Sequence, residues 1–178
     1  MEEKKTSGPS VVKLAVLLMA ICAVTSGILG GVNAITKDRI AEITAQKTAN
    51  AYNEVLPTTG EYTPVDVTAD GVVAVAECEE GYVVEMSVSG AQSMISLVVG
   101  VDRDLAVTGV SIINHGETPG LGALATDPEF RAQFVGQTEG MALNKKGGDI
   151  EALAGATITS QAIVNAATTA IDVVKTLG

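Results

Sequence analysis

An uncharged run of 19 residues, Leu14–Val32 (LAVLLMAICAVTSGILGGV), constrains this chain more than any other feature. Thr25 and Ser26 are its only polar side chains. At about 1.5 Å rise per residue, a helix of that length approaches the ~30 Å hydrocarbon core of a bilayer. The run therefore predicts a transmembrane helix, assigned to residues 14–34. A cleaved leader is the competing reading, because Lys4, Lys5 and Lys13 precede the run and Val32-Asn33-Ala34 resembles a small-residue cleavage site. The run is longer than the usual ~7 to 15 residues of a leader's apolar region, which favours a retained anchor. Lys37, Arg39 and Lys47 balance the three N-terminal lysines, so basic residues alone do not orient the helix. A short basic tail ahead of a long translocatable domain places residues 1–13 in the cytoplasm and the rest outside it.

Charge narrows the partners. The 178 residues carry a net charge of −10, and from Ala34 onward there are 8 basic and 19 acidic side chains. Nucleic-acid binders need basic patches that displace counterions from phosphates, so nucleic acid is excluded as a partner. The acidic body is also repelled by anionic lipid, which leaves the apolar helix as the membrane contact. Cys22 and Cys78 cannot supply the roughly four ligands of a zinc site or iron–sulfur cluster, and His115 is the single histidine. No metal site and no catalytic constellation is legible, so any redox chemistry belongs to a bound cofactor.

Beyond the anchor, Ile35, Ile40, Ile43, Tyr52 and Val55 recur at helical spacings until Pro57. This predicts a connecting helix within residues 35–60 that packs one face on the body. Between Glu61 and Asn114, short β-branched runs alternate with turn residues such as Asp70-Gly71 and Glu80-Gly81, predicting an antiparallel meander. Asp127-Pro128 opens a short helix reaching Phe134, and Ile163, Ala167, Ile171 and Val174 form one stripe of a last helix starting at Ser160. The predicted fold class is α+β: an N-terminal transmembrane helix, then an antiparallel sheet with flanking helices over residues 61–178.

Two motifs carry candidate chemistry. Gly155-Ala156-Thr157-Ile158-Thr159-Ser160 precedes the last helix, with Thr159 or Ser160 as the expected N-cap. The Thr157 hydroxyl then lies near a helix N-terminus, whose free N–H groups and dipole favour an anion such as phosphate. Simple capping explains the same residues. In His115-Gly116-Glu117-Thr118-Pro119-Gly120-Leu121-Gly122, Pro119 extends Thr118, while Gly120 and Gly122 admit positive φ and expose backbone N–H groups. By itself this stretch is a ligand-binding loop or a plain turn.

Taken together, HGETPGLG followed by GATITS and a C-terminal helix resembles the FMN-binding domain shared by the G subunit of the Rnf electron transport complex and the C subunit of the sodium-translocating NADH:quinone reductase. An N-terminal membrane helix belongs to that pattern, and the short chain favours the Rnf member of the pair. The resemblance implies that a flavin transferase joins FMN through its phosphate to a threonine hydroxyl, here Thr157, with Gly155 and Ala156 before it. It also implies that Glu117, Thr118, Gly120 and Leu121 line the isoalloxazine. Glu151 and Ala154 depart from the pattern, which has Asp and Ser or Thr at those positions. The implied function is an electron relay within an ion-translocating ferredoxin:NAD oxidoreductase, inactive alone, whose partners are the complex's other membrane proteins. The alternatives are the C subunit of the quinone reductase, or a membrane-anchored extracytoplasmic binding module without redox activity.

Overall fold

A computed structural model describes residues 9–177; the basic residues Lys4 and Lys5 of the expected cytoplasmic tail lie outside the described residues. Helix α1 runs without interruption over Pro9–Val55, so the anchor and the connecting helix are one element of about 70 Å. The chain divides into two compact units between Ala45 and Gln46. In the first unit, Leu14, Leu17, Met19, Ile21, Ile28 and Leu29 are all exposed. A helix apolar on every side suits lipid rather than a water-facing surface, and α1 is long and apolar enough to cross a membrane. Ile35, Ile40 and Ile43 are also exposed. In the second unit the last turns of α1, with Ala51 and Val55 buried, join a core.

The second unit is built on a five-stranded antiparallel meander in the order β1-β2-β3-β4-β5. The strands are β1 (Thr63–Val65), β2 (Val72–Glu77), β3 (Gly81–Ser89), β4 (Met94–Asp102) and β5 (Val107–Asn114). Helix α2 covers Pro128–Ala132, and α3 covers Thr157–Leu177. Period-two alternation sends Tyr82, Val84 and Met86 of β3, with Ile95, Leu97, Val99 and Val101 of β4, to the face that meets α3. Val83 and Val98 point to the opposite face, where the end of α1 packs. Strand β4 is therefore nearly continuous in apolar residues because both of its faces are covered.

Two glycines let α1 reach the sheet. Gly100 and Gly109 are register partners on β4 and β5. A Cβ at Gly100 would stand 2.7 Å from the carbonyl oxygen of Val55, and one at Gly109 3.1 Å from its Cα. Thr108 Oγ1 donates to that same carbonyl at 2.5 Å, so the sheet satisfies a C-terminal acceptor the helix cannot satisfy internally.

On the other face, Ile163, Ala167, Ile171 and Val174 of α3 are buried as their spacing predicts. The helix starts at Thr157 rather than Ser160, because the hydroxyls of Thr159 and Ser160 are engaged away from any cap position. Helix α2 ends at Ala132, short of Phe134. Phe134 is nonetheless fully buried, edge-on to Phe130 at 5.4 Å between ring centroids.

Candidate functional site

Three chain segments converge where β3 turns into β4. They are the turn Gly90–Ser93, the loop 115–122 after β5, and residues 153–160 leading into α3. Glu117 ties them together. Its Oε1 accepts from the backbone N–H groups of Gln92 at 3.0 Å and Ser93 at 3.1 Å, and its Oε2 accepts from the Thr159 hydroxyl at 2.6 Å. Glu117 is 5% exposed and Thr159 is fully buried. Burial alone would raise this carboxyl's pKa. The Thr159 hydroxyl, then the N–H groups of Gln92, Ser93 and Ala91, outweigh burial and hold it below the usual carboxylate range.

The glycines around Glu117 exist to admit it. A Cβ on Gly90 would stand 2.5 Å from Oε1, and one on Gly122 would press closer still on Oε2. The loop is also anchored by the Gly116 N–H donating to Ser93 Oγ at 2.7 Å and the Glu117 N–H donating to His115 Nδ1 at 3.3 Å. Farther along, Leu121 N–H donates to the Thr118 carbonyl at 3.1 Å, with Pro119 and Gly120 as the central residues. Gly120 has φ +76°, the value a type II turn requires at that position.

Thr157 is the first residue of α3 and is exposed. Ala156 precedes it and has no side chain able to cap. The first N–H of this helix to find a backbone acceptor is that of Ser160, which donates to the Ala156 carbonyl at 3.0 Å. Among the described residues, no acceptor meets the amides of Thr157, Ile158 and Thr159. Three unspent donors therefore lie in the first turn, which Thr157 opens, at the positive end of a 21-residue helix. Ser160 Oγ stitches the preceding segment down, accepting from Leu153 N–H and donating to Ala156 O, each at 3.0 Å.

The residues singled out in the sequence are brought together unequally. Gly155, with φ +72°, meets Leu121: a Cβ there would lie 2.9 Å from Leu121 Cδ2, so the two motifs touch. Leu121, against Gly155, is 42% exposed, and Ile158, the residue after Thr157, is 66% exposed. Thr118 and Gly120 are exposed at the turn, and Ala156 is buried. Glu117 faces inward rather than toward an open edge, and its carboxylate is occupied by protein donors. Glu151 and Ala154 line a cleft of about 490 Å³ together with Leu124, Phe130 and Leu153. Thr159 and the Gly90–Ser93 turn were not legible as site residues, since their link to Glu117 spans distant parts of the chain. Gly122, read in the sequence as able to take positive φ, does not adopt it; its missing Cβ instead leaves room for Glu117 Oε2.

Residues 90–172 match the FMN-binding domain family, and residues 1–55 match the RnfG N-terminal region. A crystal structure of the C subunit of the Na(+)-translocating NADH-quinone reductase from Parabacteroides distasonis is similar at 22% identity and a TM-score of 0.48, over 70% of this chain and 78% of that one. The G subunit of the Na(+)-translocating ferredoxin:NAD(+) oxidoreductase complex of Acetobacterium woodii is 30% identical, covering 94% of this chain and 93% of that protein. The G subunit of the ion-translocating oxidoreductase complex of Methanosarcina acetivorans is 37% identical, covering 93% of this chain and 95% of that protein. At that identity over nearly the whole length of both proteins, the chain belongs to the RnfG family, the G subunits of ion-translocating oxidoreductase complexes.

Proposed function

We propose that this chain is a membrane-anchored electron carrier whose FMN is esterified through its phosphate to Thr157. The observation that carries the reading is an exposed hydroxyl on the first residue of a helix whose first three N–H groups are unspent, after an uncapped, glycine-bounded approach. A phosphodiester keeps one negative charge, and those donors with the helix dipole stabilise it. Ala156 and Gly155 keep the approach to the hydroxyl free of side-chain bulk. Leu121 and Ile158 offer apolar contact to a flat ring, and the turn at Thr118–Leu121 offers backbone and hydroxyl polar groups to its edge. Glu117 acts behind these residues, holding the loop and the α3 start in register. When bound, FMN supplies the electron-transfer chemistry, and the protein supplies placement.

In this reading residues 14–34 cross the membrane once and the domain from residue 61 lies outside the cytoplasm, as a relay among the other Rnf subunits. A covalent tether suits a domain that cannot recapture lost cofactor from the cytoplasm. The flavin transferase must accept Glu151 and Ala154, which differ from the family's usual residues.

The test is denaturing electrophoresis of protein purified from its native membrane, viewed by flavin fluorescence. Fluorescence is expected to travel with the polypeptide and to vanish in Thr157→Ala. Because Thr157 is exposed, that variant keeps its fold, which a melting curve checks. Equal fluorescence in the variant would move the attachment elsewhere, and a colourless wild-type chain would remove the electron-carrier role.

A further inference from the structure

Arg131 on α2 serves acceptors from three parts of the chain. Its Nη1 donates to Glu54 Oε1, in the last turn of α1, at 2.6 Å and to the Val110 carbonyl of β5 at 3.4 Å, and its Nε donates to the Thr126 carbonyl at 3.1 Å. A planar guanidinium has donors in fixed directions and can hold several acceptors at once. The Ser111 hydroxyl donates to Glu54 Oε2 at 2.5 Å, so this carboxylate is itself fixed to the sheet. Exposed ion pairs contribute little to stability, but the Arg131 side chain is only 21% exposed and binds two backbone carbonyls besides the carboxylate.

Thr126 ends a short 3-10 helix, Gly122–Thr126, which follows the loop 115–122 directly. The Thr126 hydroxyl donates to the Ala123 carbonyl at 3.0 Å, and the Ala123 N–H donates to the Thr118 carbonyl at 3.2 Å. The Leu124 N–H donates to the Leu121 carbonyl at 3.1 Å, so both ends of the Thr118–Leu121 turn hang on this short helix. Hydrogen bonds thus run from Glu54 through Arg131, Thr126 and Ala123 to Thr118. Glu117 holds the loop to α3, and Arg131 holds it to the end of α1.

Resting on the reading that the FMN of Thr157 lies against the Thr118–Leu121 turn, we propose that Arg131 is a positioning residue that seats this turn, and with it the flavin ring, on the last turn of α1. Contiguous hydrogen bonds through short rigid elements let a remote contact set a loop's geometry, and a measured coupling is what demonstrates it.

The experiment uses the full-length flavinylated chain in detergent with Arg131→Met, Arg131→Lys, Glu54→Met and the double variant Glu54→Met/Arg131→Met. Arg131→Met keeps an unbranched side chain and removes its donors. Hydrogen exchange at the amides of Leu121 and Ala123 is expected to quicken about fivefold, the worth of one hydrogen bond, and the visible spectrum and midpoint potential of the flavin are expected to shift. Arg131→Lys keeps the cation and serves as the folded variant where Arg131→Met is not recovered. Its single ammonium can meet Glu54 or Thr126 but cannot span both, so the same changes are expected there. Glu54→Met should act in the same direction, and the double variant should add nothing beyond Arg131→Met, because both substitutions cut one chain of contacts. Unchanged exchange at Leu121 and Ala123 would overturn the proposal. Quickened exchange with an unchanged spectrum and potential would overturn it equally, leaving Arg131 as a brace of the fold. Absence of covalent flavin in the wild type is a separate result, visible before any variant is made, and overturns the attachment reading on which the proposal rests.

Discussion

The Thr159 hydroxyl donates to Glu117 Oε2 at 2.6 Å across 42 residues of chain, with both residues buried. This bond joins the loop after β5 to the first turn of α3. Removing either partner leaves buried donors or acceptors unmet, which costs more than the bond itself contributes. Thr159→Val, which keeps the shape and loses the donor, is expected to destabilise the domain by about 2 kcal/mol, because hydrogen bonds to charged groups are worth more than neutral ones. Thermal melts of the purified chain should show a drop of several degrees. An unaltered Tm would mean that the loop and the helix are held together by packing alone.

The same carboxylate predicts a pH dependence. Hydrogen bonds outweigh burial and place the Glu117 carboxyl below its ordinary value in the folded chain. A depressed folded pKa contributes stability that is complete above the unfolded value of about 4.3 and is lost as pH falls through the folded value. Wild-type stability should therefore decline on acidification through that window. Glu117→Gln should be less stable than wild type at neutral pH and lose less on acidification. Parallel acid profiles for the two proteins would assign the decline to other carboxylates.

Gly120 and Gly155 both have positive φ but differ in surroundings. A Cβ at Gly120 meets nothing within 4 Å, so substitution there costs backbone strain alone. Gly120→Val is expected to lose about 1 to 2 kcal/mol, whereas Gly120→Asn, which tolerates this conformation, should stay close to wild type. Gly155→Ala adds contact with Leu121 and should also alter the visible spectrum of bound flavin. If Gly155→Ala changes stability but leaves that spectrum untouched, Leu121 does not contact the ring.

Where α1 meets the sheet, Gly100→Ala forces a methyl against Thr108 Oγ1 and the Val55 carbonyl. The backbone there cannot yield without breaking the Thr108 bond, so a loss of about 2 kcal/mol is expected. Hydrogen exchange should show faster exchange confined first to the last turn of α1. Uniform behaviour across the domain would argue that this contact is not a separate seat for the helix end.

Much of the architecture was legible in the residues because it is local. The apolar run Leu14–Val32, the alternation in the β3 and β4 segments, and the stripe Ile163, Ala167, Ile171 and Val174 each report a periodicity that backbone geometry imposes. The helix boundaries were less legible. Thr159 and Ser160 look like caps in sequence, yet their hydroxyls serve Glu117, Leu153 and Ala156, so α3 begins at Thr157 instead. Ile35, Ile40 and Ile43 carry helical spacing and are exposed.

The amino-acid order by itself determined the membrane-length helix, the meander, the acidic body and the pairing of HGETPGLG with GATITS, since each depends on neighbours along the chain. Tertiary structure decided what no local pattern contains. Folding turned the Glu117 carboxylate inward to bind three segments, let Gly100 and Gly109 admit the end of α1, and set Leu121 against Gly155. These are contacts between residues far apart in sequence, selected by packing and by the need to satisfy buried polar groups, and they exist only once the chain has closed on itself.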